Sequence, residues 1–378
     1  SGALCQESGA VPNHVTISIP EHSALKSRVP AIGSVIDSAY PFDNYDQLHK
    51  LSHFRYDLFF NKPAVADDYA ALEQICRKSQ CSVELALYFS GNSPDEFTLA
   101  ESLLVSAGLP VVRFIVFNDT EAVTSAETLG RAGVIIKKQY PETPIAAGTD
   151  RYFADLNRNR PDIDACDQIC YSANPQVHTF DNESIMSNLP GIAETLDTAH
   201  TFCGCNDIIL SPLTLRPRKN RTNPDKAGGA DERIYSIFGS AWTVAAMMYS
   251  IRSAALSVSC FYVNGPGGVF DKTNNRQSPS FLILESLARF SGAHACTVLS
   301  DNERTIAAIY AADTAGSLLL AANITDKTQK TVIRNLPSKY SVAILDKHSF
   351  DLCMRNLQNT SSQYVLELGP YAAAIIRF

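Results

Sequence analysis

Apolar residues are laid out along the chain in two textures. From about residue 31 to 292, short runs rich in β-branched and aromatic residues alternate with longer stretches whose apolar positions recur every three or four residues. The runs AIGSVID (31–37), RYDLFF (55–60), VELALYF (83–89), VVRFIVF (111–117), TPIAAGT (143–149), QICYSAN (168–174), DIILSPL (207–213) and LSVSCFYV (256–263) predict strands. Helical periodicity is clearest over 65–79, 95–107, 121–138 and 231–255, the last opening on the acidic pair Asp231 and Glu232 that suits a helix N-terminus. A further helix is expected over 278–292, where a serine cap, Ser278, precedes a proline in the first turn. Eight strands, each followed by a helix, form the pattern of a (β/α)8 barrel, an α/β fold. A doubly wound dinucleotide-binding sheet would carry a glycine-rich turn after its first strand, and here that turn reads SAYPFD.

Past residue 293 the segments ACTVLS, TIAAIYAA, SLLLAANIT, KTVIRNL, YSVAILD, QYVLELG and YAAAIIRF are short, β-rich and separated by polar turns, so an antiparallel β-sandwich is expected over 293–378. The early segment HVTISIP (14–20) has no helix of its own. It is expected to join that sandwich as part of an N-terminal segment 1–30, with the barrel occupying 31–292.

Composition narrows the function classes. A chain of 378 residues with 45% hydrophobic and 19% charged residues has ample apolar surface for a core and is not disordered. Its net charge of −7 argues against a nucleic-acid partner, which needs a basic surface. No apolar run reaches the roughly 18 residues of a membrane span, so no membrane partner is expected. The start SGALCQESG shows neither a basic stretch nor an apolar one, and a cytoplasmic location is expected, or a periplasmic one where a leader has been removed. The ten cysteines include the close pairs Cys166/Cys170 and Cys203/Cys205, but neither matches paired zinc knuckles, and reduced thiols are expected.

In such a barrel the chemistry is carried by the loops at the C-terminal ends of the strands. Those loops bring Asn118 and Asp119 after strand four, and Asp150, Tyr152, Asn157 and Arg158 after strand five. They bring Asn174, Gln176 and His178 after strand six, Thr214, Arg216 and Arg218 after strand seven, and Tyr262 with the turn NGPGG after strand eight. Of eight histidines only His178 falls at such a station, and imidazole suits proton transfer near neutral pH. No HxH follows strand one and no His/carboxylate cluster marks the mouth, so no metal and no cofactor are expected. Arg216 and Arg218 are placed to grip an anionic or polarised oxygen, while Lys219, Arg221 and Lys226 read as solvated and GPGG as a turn. Inside the strands, alternation puts Arg55 and Asp57 on one face, with Glu84 and Arg113 in the neighbouring strands; pointing inward, these charges must pair, and Asp57, nearest the mouth, can touch substrate.

Three functions fit this frame. A retaining glycosidase needs two carboxyl groups about 5 Å apart, typically after strands four and seven. Strand four offers Asn118-Asp119, but strand seven ends SPLTLRPR with no carboxylate. A non-catalytic sugar-binding barrel would keep aromatic platforms and shed convergent polar groups, whereas these loops are rich in Asp, Asn, His and Arg. The strings GTDRYFADLNRNRPD, YSANPQVHTFDNESIM, SPLTLRPRKNR and IFGSAWTVAAM, in that order, with RYDLFF and VELALYF before them, resemble the bacterial D-apionate lactonase family. That resemblance spans about residues 14–378 and implies hydrolysis of the lactone of a branched-chain aldonic acid in sugar catabolism, the partner being a small sugar lactone. From loop position, His178 is read as general base or acid, with Asp150 orienting it or sharing the proton work. Arg216, helped by Asn174, is read as polarising the carbonyl. Asp57, Asn118, Tyr152, Asn157, Arg158, Gln176, Arg218 and Tyr262 are read as contacts to the sugar.

Overall fold

The computed structural model describes residues 14–91, 93–105, 108–204, 206–217, 231–271, 276–347, 355–358 and 363–378. Eight parallel strands, Ala31–Ile36, His53–Phe59, Val83–Phe89, Val111–Asn118, Ile145–Thr149, Gln168–Ala173, Asp207–Leu213 and Ser257–Tyr262, pair in chain order and close last to first, Ser257 opposite Ala31. The fold is therefore the (β/α)8 barrel that the alternation predicts. Between strands and surrounding helices lies a continuous apolar shell that includes Phe54, Tyr56, Phe114, Leu129, Trp242 and Leu284. Inside the ring of strands a separate apolar cluster, Ala86, Tyr88, Ile115, Phe117, Ala146, Cys170 and Ile209, fills the lumen beside the buried charges.

Two helices begin later than their periodicity suggests, each because a carboxylate is drawn into local bonding. The fourth-loop helix runs Ala126–Gln139 with Ser125 as its cap; Glu121 folds back so that its carboxylate accepts from Ser125 N at 2.7 Å and from Asn118 Nδ2 at 3.2 Å. The long helix Ile237–Arg252 starts six residues after Asp231, whose side chain instead caps the short 3-10 turn Glu232–Tyr235 by accepting from Arg233 N at 3.1 Å. Ser278 does cap the helix Pro279–Ala288, accepting from Ser280 N at 3.1 Å.

Beyond the barrel, seven strands form one sheet in the order Arg355–Gln358, Lys339–Leu345, Ala373–Arg377, Gly316–Asn323, Ile306–Asp313, His294–Cys296 and Ser27–Arg28. A second sheet pairs Val15–Ser18 parallel to Gln329–Arg334, which pairs antiparallel to Gln363–Leu368. Ile17, Ile306, Leu319, Ile333, Leu366 and Ile376 are buried between the two sheets. The other face of the larger sheet, with Ile309, Leu318, Leu320 and Ile375, joins the barrel core against Ile237–Arg252. Both faces of that sheet are covered, which is why TIAAIYAA and YAAAIIRF read as unbroken apolar runs instead of alternating ones. Arg252 closes this seam with two hydrogen bonds to Glu303, at 2.9 and 2.7 Å. Seven described cysteines, Cys76, Cys81, Cys166, Cys170, Cys203, Cys260 and Cys296, are free thiols. Among the described residues no helix is long and apolar enough to cross a membrane.

Candidate functional site

Strand five approaches strand six so closely that a Cβ on Gly148 would lie 1.8 Å from the carbonyl oxygen of Cys170. Thr124 fastens the same glycine, its N and Oγ1 donating to Gly148 O at 3.0 and 3.1 Å. This close passage delivers Asp150, two residues on, to the mouth of the barrel, where it is only 7% exposed. There the hydroxyl of Tyr88 donates to Asp150 Oδ2 at 3.0 Å and accepts from Arg55 Nη2 at 2.8 Å. Arg55 is fully buried; its Nε donates to Asp57 Oδ1 at 2.8 Å and its Nη1 to Ser211 Oγ at 2.9 Å. A charge taken out of water must be paired and hydrogen-bonded, and this guanidinium is both.

Deeper in the lumen Glu84 accepts from Arg113 Nη1 at 3.1 Å, from Ser259 Oγ at 2.9 Å and from Ser211 Oγ. His53 Nε2 meets the same Ser259 hydroxyl at 2.9 Å. Burial drives the His53 imidazole down to about 4 against the pull of Glu84, so it is neutral near pH 7. Burial pushes the Glu84 carboxyl up, but His53, charged only in the acid range, together with the guanidinium ions of Arg113 and Arg55 and the Ser211 hydrogen bond, outweighs it and holds the group below the usual carboxylate range. Ser211 and Glu84 thus join the two charged pairs, Arg55–Asp57 and Arg113–Glu84, into one network beneath the mouth.

Asp150 opens onto a cavity of about 580 Å³ whose lining includes Phe117, Asn118, Asp119, Glu121, Arg151, Tyr152 and Asp155. The lining residue Phe117 rests against Tyr88, whose ring is tilted to it at 5.0 Å and stacks on Phe59 at 4.4 Å. Arg151 donates from Nη2 to the carbonyl of Glu121 at 2.7 Å, one of five guanidinium N–H donors, so the fork is anchored with donors to spare. Asn118 lines the cavity too, but its amide nitrogen is engaged by Glu121 and Thr128, both at 3.2 Å, and its oxygen accepts from Thr120.

A second polar cluster forms between the loops of strands six and seven. Gln176 donates to Asp231 Oδ2 at 2.6 Å and to Leu215 O at 2.8 Å, while Arg233 grips both oxygens of Asp231 at 2.8 and 2.7 Å. Burial pushes the Asp231 carboxyl up, but the hydrogen bonds from Arg233 and Gln176 prevail and bring it to about 2. Arg216 lies 3.6 Å from this carboxylate and shares a cleft of about 40 Å³ with Tyr262.

The sequence-derived candidates therefore separate into groups. Asn118, Asp150 and Tyr152 share the larger cavity, Asp57 reaches Asp150 through Arg55 and Tyr88, and Arg216 and Gln176 gather around Asp231. The expected partnership of His178 with Asp150 is not seen: His178 is exposed on the rim, no hydrogen bond joins it to any of the described residues, and the Tyr88 hydroxyl donates to the carboxylate. Asn157 and Arg158 are exposed at the far end of the short helix Phe153–Arg158, where Asn157 accepts from Arg160 at 3.2 Å, and they are not among the residues lining the cavity. Asn174 is half-buried, and its Oδ1 has no partner among the described residues. Arg218 lies outside the described residues, as do Lys219, Arg221 and Lys226. Sequence reasoning passed over Tyr88, Arg151 and Ser211. Tyr88 was within reach, since it shares the alternation of Glu84 and Ala86, whereas Ser211 gains meaning only from the charges facing it across the lumen. Among the described residues no three His, Cys, Asp or Glu side chains are grouped to hold a metal ion.

Comparison with known proteins adds three findings. A family model described as D-apionate lactonase, TIM barrel domain, matches residues 41–292, and one described as D-apionate lactonase, C-terminal immunoglobulin-like domain, matches residues 303–376. No curated protein matches the sequence. Among solved structures the chain is similar to a GH51 arabinofuranosidase from Xanthomonas axonopodis pv. citri, at 8% identity and TM-score 0.69 over 96% of this chain and 99% of that one. It is also similar to CelM2, a bifunctional glucanase-xylanase from a metagenome library, at 11% identity and TM-score 0.67 over 96% and 99%. A GH30 endoxylanase from Clostridium papyrosolvens C71 follows the same course at 10% identity and TM-score 0.60, again over 96% and 99%. At such identities the likeness is one of fold.

Proposed function

The chain belongs to the D-apionate lactonase family, and from that premise we propose that it hydrolyses the ring ester of an aldonolactone at the cavity beside Asp150. Family membership makes it a carbohydrate hydrolase in the broad sense; the lactone substrate and the roles below are our reading. The observation that carries it is the buried chain from Arg55 through the Tyr88 hydroxyl to Asp150, which ends at a solvent-open cavity.

Asp150 acts as the base: its carboxylate takes a proton from water as the water oxygen bonds to the lactone carbonyl carbon. The negative charge that builds on the carbonyl oxygen meets the guanidinium of Arg151, whose donor fork is held in place by Glu121 O. When the tetrahedral centre collapses, the bond to the ring oxygen breaks and Asp150 returns its proton there, leaving a hydroxyl and a carboxylic acid that ionises in water. Tyr88, donating to Asp150, orients the carboxylate and favours its ionised form, and Arg55 polarises that hydroxyl. In this scheme Asp57 neutralises Arg55, Asn118 shapes the fourth loop, and Tyr152 faces the sugar hydroxyls. Arg216, Tyr262 and Asn174 contact the substrate from the adjoining rim.

The test is acid release at constant pH from a panel of five-membered aldonolactones, each with a no-enzyme control, alongside aryl glycosides. Lactone hydrolysis well above the spontaneous rate, with aryl glycosides untouched, is the expected result. Cleavage of an aryl glycoside with lactones at background would assign the site to glycoside hydrolysis, with Asp119 or Glu121 as its acids.

A further inference from the structure

We propose that the loops following the first and last barrel strands form a second binding site, for a neutral sugar ring, with Tyr40 as its stacking platform. Strands one and eight are neighbours in the closed ring and lie opposite strands four and five, so this site is on the other side of the mouth from the Asp150 cavity. It encloses about 600 Å³, enough for a sugar ring.

The turn NGPGG is what builds it. Gly265 has φ +75°, and a Cβ there would lie 2.5 Å from the Tyr40 ring, so the ring rests directly on the glycine backbone. Asn264, buried, ties the two loops together: its amide nitrogen donates to Tyr40 O at 2.9 Å and Asp37 O at 3.0 Å, and its oxygen accepts from Asp37 N at 2.9 Å. At the other end of the turn the Tyr235 hydroxyl donates to Gly268 O. Tyr40, a residue 42% exposed, is thus held in place by the turn beneath it, which lowers the ordering cost of any ligand that stacks on its ring.

The rest of the lining defines the ligand. Phe42 and Phe270 add apolar surface, and Asp43, Asn44 and Glu232 supply polar edges. Asn44 stands at the start of the helix Tyr45–Leu48, where its side chain makes no capping bond, and it lines the cavity. Among the described residues no lysine or arginine lines the space, while Asp43 and Glu232 do, a balance that disfavours a carboxylate such as a lactone-hydrolysis product. A ring with a C–H face for Tyr40 and a rim of hydroxyls for carboxylate and amide groups matches this lining.

The site is tested by saturation-transfer NMR on the full chain with methyl β-D-glucopyranoside and cellobiose as probes, and sodium gluconate and tetramethylammonium as contrasts. Both sugars are expected to receive saturation, and Tyr40→Ala is expected to weaken their binding about tenfold while Tyr40→Phe keeps it. Asn44→Ala should weaken it with the ring intact, and Asp150→Asn should leave it unaltered, which separates this site from the proposed lactone site. Thermal unfolding of each variant shows whether the fold is kept. Absence of transfer to either sugar, undiminished binding by folded Tyr40→Ala, or preferential binding of gluconate or tetramethylammonium would overturn the proposal.

Discussion

At the scale of the residue, the site is a chain of hydrogen bonds with a charge at its buried end. If Asp150 is the base, Asp150→Asn keeps the shape and removes the proton acceptor, and kcat/KM should fall by about 10² to 10⁴. His178→Ala should stay within about tenfold of the parent, since the imidazole is exposed and, among the described residues, hydrogen-bonds neither Asp150 nor Tyr88. Measured together, the pair discriminates between the two groups. Tyr88→Phe preserves the stack on Phe59 and deletes the hydroxyl between Arg55 and Asp150. Activity should fall, and the acid limb of the kcat/KM profile should move to higher pH, because the donor that favoured the ionised carboxylate is gone; an unmoved limb would exclude a positioning role for Tyr88. His53 supplies a separate, purely structural pH dependence. Its pKa is about 4 in the folded protein against 6.5 for the free side chain, so between those values the unfolded chain binds more protons. The contribution is whole above pH 6.5 and drains away as pH falls toward 4, at about 1.4 kcal/mol per unit. Urea unfolding across that range should show a flatter pH slope for His53→Gln than for the parent.

At the scale of the element, the decisive features are places where two strands come unusually close. Gly148→Ala would force a methyl group into the Cys170 carbonyl across the strand-five to strand-six ladder, in the middle of the segment that aims Asp150. A stability loss beyond the roughly 1–3 kcal/mol typical of an overfilled core is expected, read from denaturant unfolding, with activity falling in the folded fraction as well. Element positions are the most legible part of this chain. Val65–Ser79, Val83–Phe89 and Asp207–Leu213 coincide with the segments that periodicity predicts, because each has a one-sided or fully apolar pattern and a clear stop. The late starts at Ala126 and Ile237 escape that reading: acidic residues look like a helix N-terminus in sequence, but Glu121 accepts from Asn118 and Ser125 within its own loop, and Asp231 caps a 3-10 turn and accepts from the distant Gln176.

At the scale of the whole molecule, barrel and sandwich share apolar surface instead of merely adjoining. The helix Ile237–Arg252 is buried on nearly every face, one of them against the seven-stranded sheet. A chain ending at residue 292 would expose that face, so it should be insoluble, or bind a hydrophobic dye and lose cooperative unfolding. A soluble truncated barrel with a sharp thermal transition would show that the sandwich is dispensable.

The local order of apolar and polar residues was enough to mark eight strands, five of the helices and a β-rich tail, and to require that Arg55, Asp57, Glu84 and Arg113 pair if they point inward, because period is a property of neighbours in sequence. Which side chains meet at the mouth was decided by closure of the ring. Tyr88 comes from strand three and Asp150 from the end of strand five, 62 positions apart, and only the barrel brings them to 3.0 Å. The same closure leaves His178 on the rim and sets Tyr40 on the glycine turn 225 positions away, since contacts between distant segments depend on strand register and loop path, which no local pattern encodes.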